Sequence, residues 1–195
     1  MTIEVPSHIK GLVFDLDGTI ADTMPAHYKA WVAALGEHGI DFPEALFYEF
    51  GGMPTERIIE VLNDRHGTAM PVVETAVYKE KLFEAYIPDV LPIGPVVDVI
   101  NRYHTKLPLA VATGGQRPIA TKTLHAVKLF DRFEALVTAD DVTHGKPSPD
   151  IFLEAARRIG VPAADCMAFE DANLGIRAAT AAGMLVFDVR TLPRR

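Results

Sequence analysis

Asp15 and Asp17 stand two residues apart directly behind the apolar run Gly11-Leu12-Val13-Phe14. An apolar run of this kind reads as a buried strand, and charge is costly to bury unless it is paired or bound to metal, so these carboxylates need a partner. Three other stretches offer groups of matching chemistry. Thr113-Gly114-Gly115 presents a hydroxyl and unencumbered backbone N–H groups that could cradle phosphate oxygens. Gly145-Lys146-Pro147-Ser148-Pro149-Asp150 holds a fixed positive charge in a loop stiffened by prolines. Glu170-Asp171 puts two more acids behind a second apolar run, Cys166-Met167-Ala168-Phe169. Each has an ordinary reading by itself: a turn, a solvated loop lysine, acids opening a helix. Taken together they describe carboxylates from two strands gathered on a hard cation, Mg²⁺, with the remaining octahedral positions left to water and a substrate phosphate. Zinc or iron has no support, since no His pair stands at ligand spacing and Cys166 is the single cysteine.

The elements that must position these groups follow from hydrophobic pattern. Five apolar runs read as strands, at 9–16, 107–113, 135–139, 166–169 and 185–189, mostly apolar throughout as in parallel strands covered on both faces. Helical segments alternate with the later runs, at 95–103, 118–129, 149–159 and 174–182, several opened by proline and closed by glycine. This alternation predicts an α/β fold, a Rossmann-like doubly wound parallel sheet, in which ligands bind beyond the carboxyl ends of the strands where strand order reverses. The interval between the first two runs is too long for one crossover helix. Residues 24–91 carry apolar positions at helical spacing, Trp31 and Leu35, then Ile58, Ile59 and Leu62, then Val73, Val77, Leu82 and Phe83, which read as the buried faces of amphipathic helices. The expected organisation is a catalytic core of residues 1–22 and 93–195 with an inserted all-helical cap domain, 23–92. Its tethers are Ala21-Asp22-Thr23 and Leu91-Pro92-Ile93-Gly94, where proline and glycine could absorb a hinge motion.

Composition narrows the class of function. The chain has 195 residues, 49% hydrophobic and 23% charged, enough for a sizeable core and unlike a disordered segment. Its 26 acids against 19 Lys and Arg give a formal charge of -7 with no basic stripe, which disfavours nucleic acid as a partner. No apolar stretch reaches the roughly 18 residues of a membrane span, and the start MTIEVPSHIK lacks the pattern of a secretory signal, so the expected location is the cytoplasm and no membrane partner is expected. Cys166 reads as a small core residue rather than a reactive thiol. A monomer is expected.

The segments DLDGT, TGG, GKPSPD and FED resemble the signature of the haloacid dehalogenase superfamily, across nearly the whole chain. The helical insertion is similar to the branch that contains β-phosphoglucomutase and small sugar phosphatases, and PTERI, ADDVTHGKPSPD, FEDANLGI and AAGM followed by DVR resemble bacterial sugar phosphatases of the fructose-1-phosphate phosphatase type. That resemblance implies a Mg²⁺-dependent phosphatase for a small phosphorylated metabolite, working through an aspartyl-phosphate. Asp15 would be the nucleophile and Asp17 the general acid and base. Mg²⁺ would be held by Asp15, the backbone carbonyl of Asp17 and Asp171, with Glu170 acting directly or through water. Thr113, Gly114 and Lys146 would hold the phosphoryl oxygens. The cap would supply substrate contacts through Thr23, His27, Gly51, Gly52 and Lys79, with Lys81 competing for the role of Lys79 and Arg57 able to pair with substrate or to remain on the surface.

Three other activities share parts of this pattern. A phosphomutase uses the same core, but caps of the β-phosphoglucomutase kind carry an arginine after the glycine-containing loop, where Gly51-Gly52-Met53-Pro54-Thr55 has a threonine. A dehalogenase would not need Asp17 or the acids at 170 and 171. A receiver-like phosphoacceptor module places its aspartate after a later strand and has no large insertion.

Overall fold

The computed structural model describes residues 3–51 and 53–192, so the expected cap residue Gly52 lies outside the described residues. Five strands, β1 (Gly11–Phe14), β2 (Leu109–Ala112), β3 (Ala135–Val137), β4 (Cys166–Glu170) and β5 (Leu185–Asp188), pair in parallel in the order β3-β2-β1-β4-β5. The chain builds outward from β1 on one side and then crosses to β4 on the other. The order therefore reverses beside β1, and a crevice is expected between the carboxyl ends of β1 and β4.

Strand alternation divides the core into two layers. Leu12 and Phe14 of β1, Leu109 and Val111 of β2, and Met167 and Phe169 of β4 face α5 (Gly94–Tyr103) and α6 (Arg117–Ala126), meeting Val96, Ile100 and Leu124. Val13, Ala110, Ala112 and Ala168 face the opposite way, against Ile151, Phe152 and Ala155 of α7 (Asp150–Arg158) and Ala178 and Ala179 of α8 (Asn173–Ala181). Small alanines on this second face let α7 and α8 lie close to the sheet. α7 also has Asp150 in its first turn and Arg157 and Arg158 in its last, matching its dipole.

The ladder is shorter than the first apolar run. After Phe14 the Asp15 N–H still donates to Phe169 O at 3.0 Å, but the Leu16 carbonyl then accepts from both Ile20 and Ala21 at 3.0 Å, closing a tight turn. β5 departs from the expected double coverage because it is an edge strand: Leu185 is exposed and the rest only half-buried.

Between β1 and α5 stand four α-helices, α1 (Met24–Gly36), α2 (Glu44–Glu49), α3 (Thr55–His66) and α4 (Val72–Tyr86). They enclose a core of their own around Trp31, Leu35, Phe42, Phe47, Ile58, Ile59 and Leu62. Ala30 of α1 and Phe83 of α4 instead join the layer that packs on the sheet. The segments leading into and out of the insertion run side by side, with Asp22 N donating to Leu91 O at 2.8 Å and Ile93 N to Ile20 O at 2.9 Å. Entrance and exit thus share one place above the sheet.

In α4 the expected buried stripe is corrected. Val73 and Val77 are exposed, at 58% and 64%, while Thr75, Ala76, Lys79 and Phe83 are buried. The helix turns inward the face that carries Lys79, which finds partners there, and leaves two valines in water. Phe83→Ala is therefore expected to cost about 3–5 kcal/mol of stability in urea unfolding. Val77→Ser should stay within about 0.5 kcal/mol, and the reverse order would show that α4 packs through its valines.

Candidate active site

Asp15 follows β1 and Glu170 ends β4, strands paired through Phe14 and Phe169, so backbone pairing alone brings their carboxylates to one end of the sheet. Asp15 is 5% and Glu170 1% exposed. Single carboxylate oxygens of Asp15, Glu170 and Asp171 lie within 4.8 Å of one another. Lys146, reaching over from the loop before α7, donates from Nζ to Asp15 Oδ1 at 2.6 Å and to Glu170 Oε1 at 2.7 Å. An ammonium has three N–H donors, so one remains for a further acceptor. The aliphatic stem of Lys146 leaves its charge 5.2 Å from the Phe152 ring centre, and the side chain is 5% exposed.

One lysine cannot balance three acids, two of them buried and Asp171 half-buried. Burial pushes the Asp15 carboxyl well above its ordinary value against the pull of Lys146, and Glu170, Asp171 and Asp17 push it further. Burial, then Glu170, raises Asp171 to about 7, although Thr19 Oγ1 donates to its Oδ1 at 3.1 Å. Lys146 is affected in the complementary sense: burial disfavours its charge, but Asp15 and Glu170 outweigh that and raise its pKa. A compact set of oxygen donors with surplus negative charge fits a hard divalent cation, and this donor set suits Mg²⁺.

Two glycines make room for the acids. Gly18 has φ +81°, and a Cβ there would lie 2.2 Å from Asp171 Oδ2. Gly175, in the first turn of α8, stands so close to Glu170 that a Cβ would lie 1.6 Å from Oε1. The other oxygen of Glu170 accepts from Ala172 N at 2.6 Å. Gly175 was not singled out by sequence; a glycine inside a helical pattern, costly to helix stability, was the available signal.

Asp17 faces a different environment. Its Oδ1 lies 3.4 Å from His27 Nε2 and its Oδ2 3.5 Å from Thr113 Oγ1, and Gly115 N donates to the same hydroxyl at 3.1 Å. His27 Nδ1 lies 2.8 Å from Lys79 Nζ. Lysine has only donors, so Nδ1 accepts and the ring proton belongs on Nε2, pointing at Asp17. Burial and the Lys79 charge lower the His27 pKa, which keeps the ring neutral. Burial works to raise Asp17, but the hydrogen bond from His27, with smaller help from Thr23 and Lys79, holds its carboxyl below the ordinary value. Lys79 is itself lowered by burial, against the attraction of Glu80, whose Oε1 accepts from Lys79 at 2.9 Å and from Thr55 Oγ1 at 3.0 Å. Phe83 stacks on His27, ring centres 3.6 Å apart, and fixes the imidazole plane.

The remaining expected residues divide. Thr23 is fully buried at the head of α1 and its hydroxyl completes no hydrogen bond among the described residues, although it lies near enough to Asp17 to help hold its charge. Lys79 is buried against His27, whereas Lys81 is exposed on the same helix. Gly114 meets nothing where a Cβ would stand. Gly51 lies at the end of α2, its N–H donating to Tyr48 O at 3.2 Å, and is not drawn into the acid cluster. Arg57 stays on the surface of α3, paired with Glu60 at 2.7 Å. Cys166 is buried in β4, its thiol pushed up to about 11 by burial and Asp165. Phe83 and Glu80 are the residues of this half that sequence reasoning did not assign to the site; Phe83 read there as core alone, and an acid next to Lys79 carries no signal until a helix is placed.

A family model described as a haloacid dehalogenase-like hydrolase matches residues 9–183. The chain is 41% identical over 182 residues to the fructose-1-phosphate phosphatase YqaB of Escherichia coli, covering 93% of this chain and 97% of that protein. It is 32% identical to the β-phosphoglucomutase of Bacillus subtilis, over 93% and 83% of the two chains. Among solved structures it superimposes on the CbbY protein of Rhodobacter sphaeroides in complex with phosphate, with a TM-score of 0.79 and 29% identity over 91% of this chain and 84% of that one.

Two tests follow from this geometry. Gly175→Ala should lower stability by about 1–3 kcal/mol in denaturant unfolding, because the new methyl and the Glu170 carboxylate cannot share one place; an unchanged midpoint would mean that Glu170 lies elsewhere. Without metal, folded Asp171 keeps a proton between its ordinary 3.8 and about 7 that the unfolded chain has already released. Its contribution to stability therefore falls as pH rises through that window. His27, with its lowered pKa, acts in the opposite sense, so the comparison is with Asp171→Asn, which retains it. In chelator the wild-type melting temperature should drop relative to that variant as pH rises from 3.8 to about 7, and a constant difference would contradict the raised pKa.

Proposed function

We propose that this chain, which belongs to the haloacid dehalogenase-like hydrolase family, is a Mg²⁺-dependent phosphatase of small sugar phosphates, fructose 1-phosphate among them. The observation that carries this reading is the convergence of Asp15, Glu170, Asp171 and Lys146 at the reversal of strand order, with Asp17 held apart by His27 and Lys79. The likeness to the phosphatase of Escherichia coli supports the substrate class.

Asp15, Asp171 and the backbone carbonyl of Asp17, with Glu170, would hold Mg²⁺. When bound, the cation supplies positive charge that keeps Asp15 ionised and removes its repulsion from the phosphate. Lys146 turns its third N–H, and Thr113 and the Gly114 N–H their donors, toward the phosphoryl oxygens. An Asp15 carboxylate oxygen forms the new bond to phosphorus while the bond from phosphorus to the sugar oxygen breaks. The electron pair leaves with that oxygen, which takes its proton from Asp17. In the second step water attacks phosphorus, Asp17 takes the water's proton, and the bond to Asp15 breaks, restoring both acids and releasing phosphate.

Asp17 must carry a proton for the first step, although His27 and Lys79 favour its charged form in the free protein. The arriving phosphate brings negative charge beside it and shifts it toward the acid. His27 keeps the carboxyl in place through its Nε2, and Lys79 fixes the ring that does so. The four-helix insertion, residues 23–92, serves as the cap in this reading and brings both residues in from α1 and α4.

Hydrolysis is favoured over phosphoryl return to the sugar by the surroundings of Thr55. Its hydroxyl is tied to Glu80, and Glu80 already neutralises Lys79, so this corner offers a carboxylate where a second phosphate would need a cation. Incubation with hexose phosphates and Mg²⁺ is expected to release inorganic phosphate, and Asp15→Asn or chelation to abolish it. Turnover surviving in Asp15→Asn, or conversion of a 1-phosphate to a 6-phosphate with no phosphate freed, would overturn the proposal.

A further inference from the structure

The acids at 170 and 171 are held by a part of the chain that the chemistry above does not use. Asp188, the last residue of β5, pairs in register with Glu170. The following turn, Val189–Thr191, is anchored by the buried side chains of Val189 and Leu192 and by Thr191 Oγ1 donating to Asp188 O at 2.7 Å. It swings Arg190 back over the strand end. The guanidinium donates from Nε to Asp188 Oδ1 at 2.9 Å and from Nη2 to Oδ2 at 2.6 Å, and the Arg190 backbone N–H adds a third bond to Oδ1 at 3.0 Å. Its Nη1 donates to Asn173 Oδ1 at 2.8 Å.

Asn173 is the first residue of α8, two positions after Asp171. One planar side chain thus ties the end of β5 to the far end of the segment Glu170-Asp171-Ala172-Asn173. Within that segment Asp171 is restrained by Thr19 and Glu170 by Lys146 and the Ala172 N–H. The two acids repel each other and Asp15, so the turn that bears them is under a force that spreads it. Arg190 opposes that force mechanically, through Asn173, and electrostatically, since its charge interacts with Asp171 and Glu170 as well as with Asp188.

We propose that Arg190 is a positioning residue for the cation site: its clamp from Asp188 to Asn173 holds the 170–173 turn at the spacing at which Asp171 and Glu170 can ligate a divalent ion together with Asp15. The inference rests on the reading of those acids as a Mg²⁺ site. Arg190 touches no reacting group, and its effect passes through the turn. Partners of this kind that orient metal ligands typically change affinity 10- to 100-fold when removed. Lysine cannot reproduce the fork, so Arg190→Lys should resemble Arg190→Ala more than the wild type.

The test is titration of Mg²⁺ into the metal-stripped full chain by calorimetry, with thermal unfolding of the same samples and phosphate release as a function of Mg²⁺. For Arg190→Ala and Arg190→Lys, Mg²⁺ affinity should fall about tenfold or more, and phosphate release should recover most of its rate at saturating Mg²⁺. Asn173→Ala, an exposed position, leaves the Arg190–Asp188 pair intact and removes only the link to the turn. It should weaken Mg²⁺ in the same direction with little change in melting temperature, which keeps the test valid if the arginine variants unfold. Wild-type Mg²⁺ affinity in Asn173→Ala and in whichever arginine variants fold would overturn the clamp while leaving the site reading intact. A wild-type chain that neither binds Mg²⁺ nor releases phosphate would overturn both.

Discussion

Like charges gathered at the carboxyl end of a parallel sheet are the constraint around which the rest of this structure is arranged. Asp15 and Glu170 are carried there by neighbouring strands, and Asp171 follows at once, so three carboxylates share a buried space with one lysine. Two of the three respond by favouring the protonated form. The glycines that admit the acids and the lysine that bridges two of them have a common effect, which is to keep repelling groups close. A fold that only sought stability would have placed apolar side chains there, since unpaired buried charge is destabilising.

Asp17 is only two residues from Asp15, yet its titration is shifted in the opposite direction. The strand has ended, the turn has begun, and Asp17 looks toward α1 and α4 instead of toward β4. His27 and Lys79 favour its negative charge, while Asp15 is denied it by burial and by its acidic neighbours. The chain thus divides its two carboxylates between opposite environments, and in the proposed reaction bound Mg²⁺ and the arriving phosphate would reverse both shifts. This division depends on the helical insertion, because His27, which lies against Asp17, and Lys79, which lies against His27, both come from it.

Local signals made the sheet side of the site legible. An apolar run followed by acids, a threonine with two glycines, and a lysine among prolines are each visible within a few residues, and parallel strands place such ends together whatever the details of packing. The helical side was less legible. α4 was expected to bury Val73 and Val77, but hydrophobic periodicity counts apolar residues and has no means of knowing that Lys79 will find His27, Glu80 and two aromatic rings inside. Gly175, Phe83 and Arg190 escaped for a related reason: each acts on a residue distant in sequence or by leaving space.

The sequence by itself determined the order of the elements, the positions where strands end in polar groups, and the family to which the chain belongs. All of these depend on residue type at short range. Tertiary structure alone decided which lysine of α4 is buried, which tautomer His27 adopts, how far the acids raise one another, and that Arg190 reaches Asn173. Those are set by distances of a few ångströms between segments far apart in the chain, and electrostatic and hydrogen-bond energies change steeply over such distances.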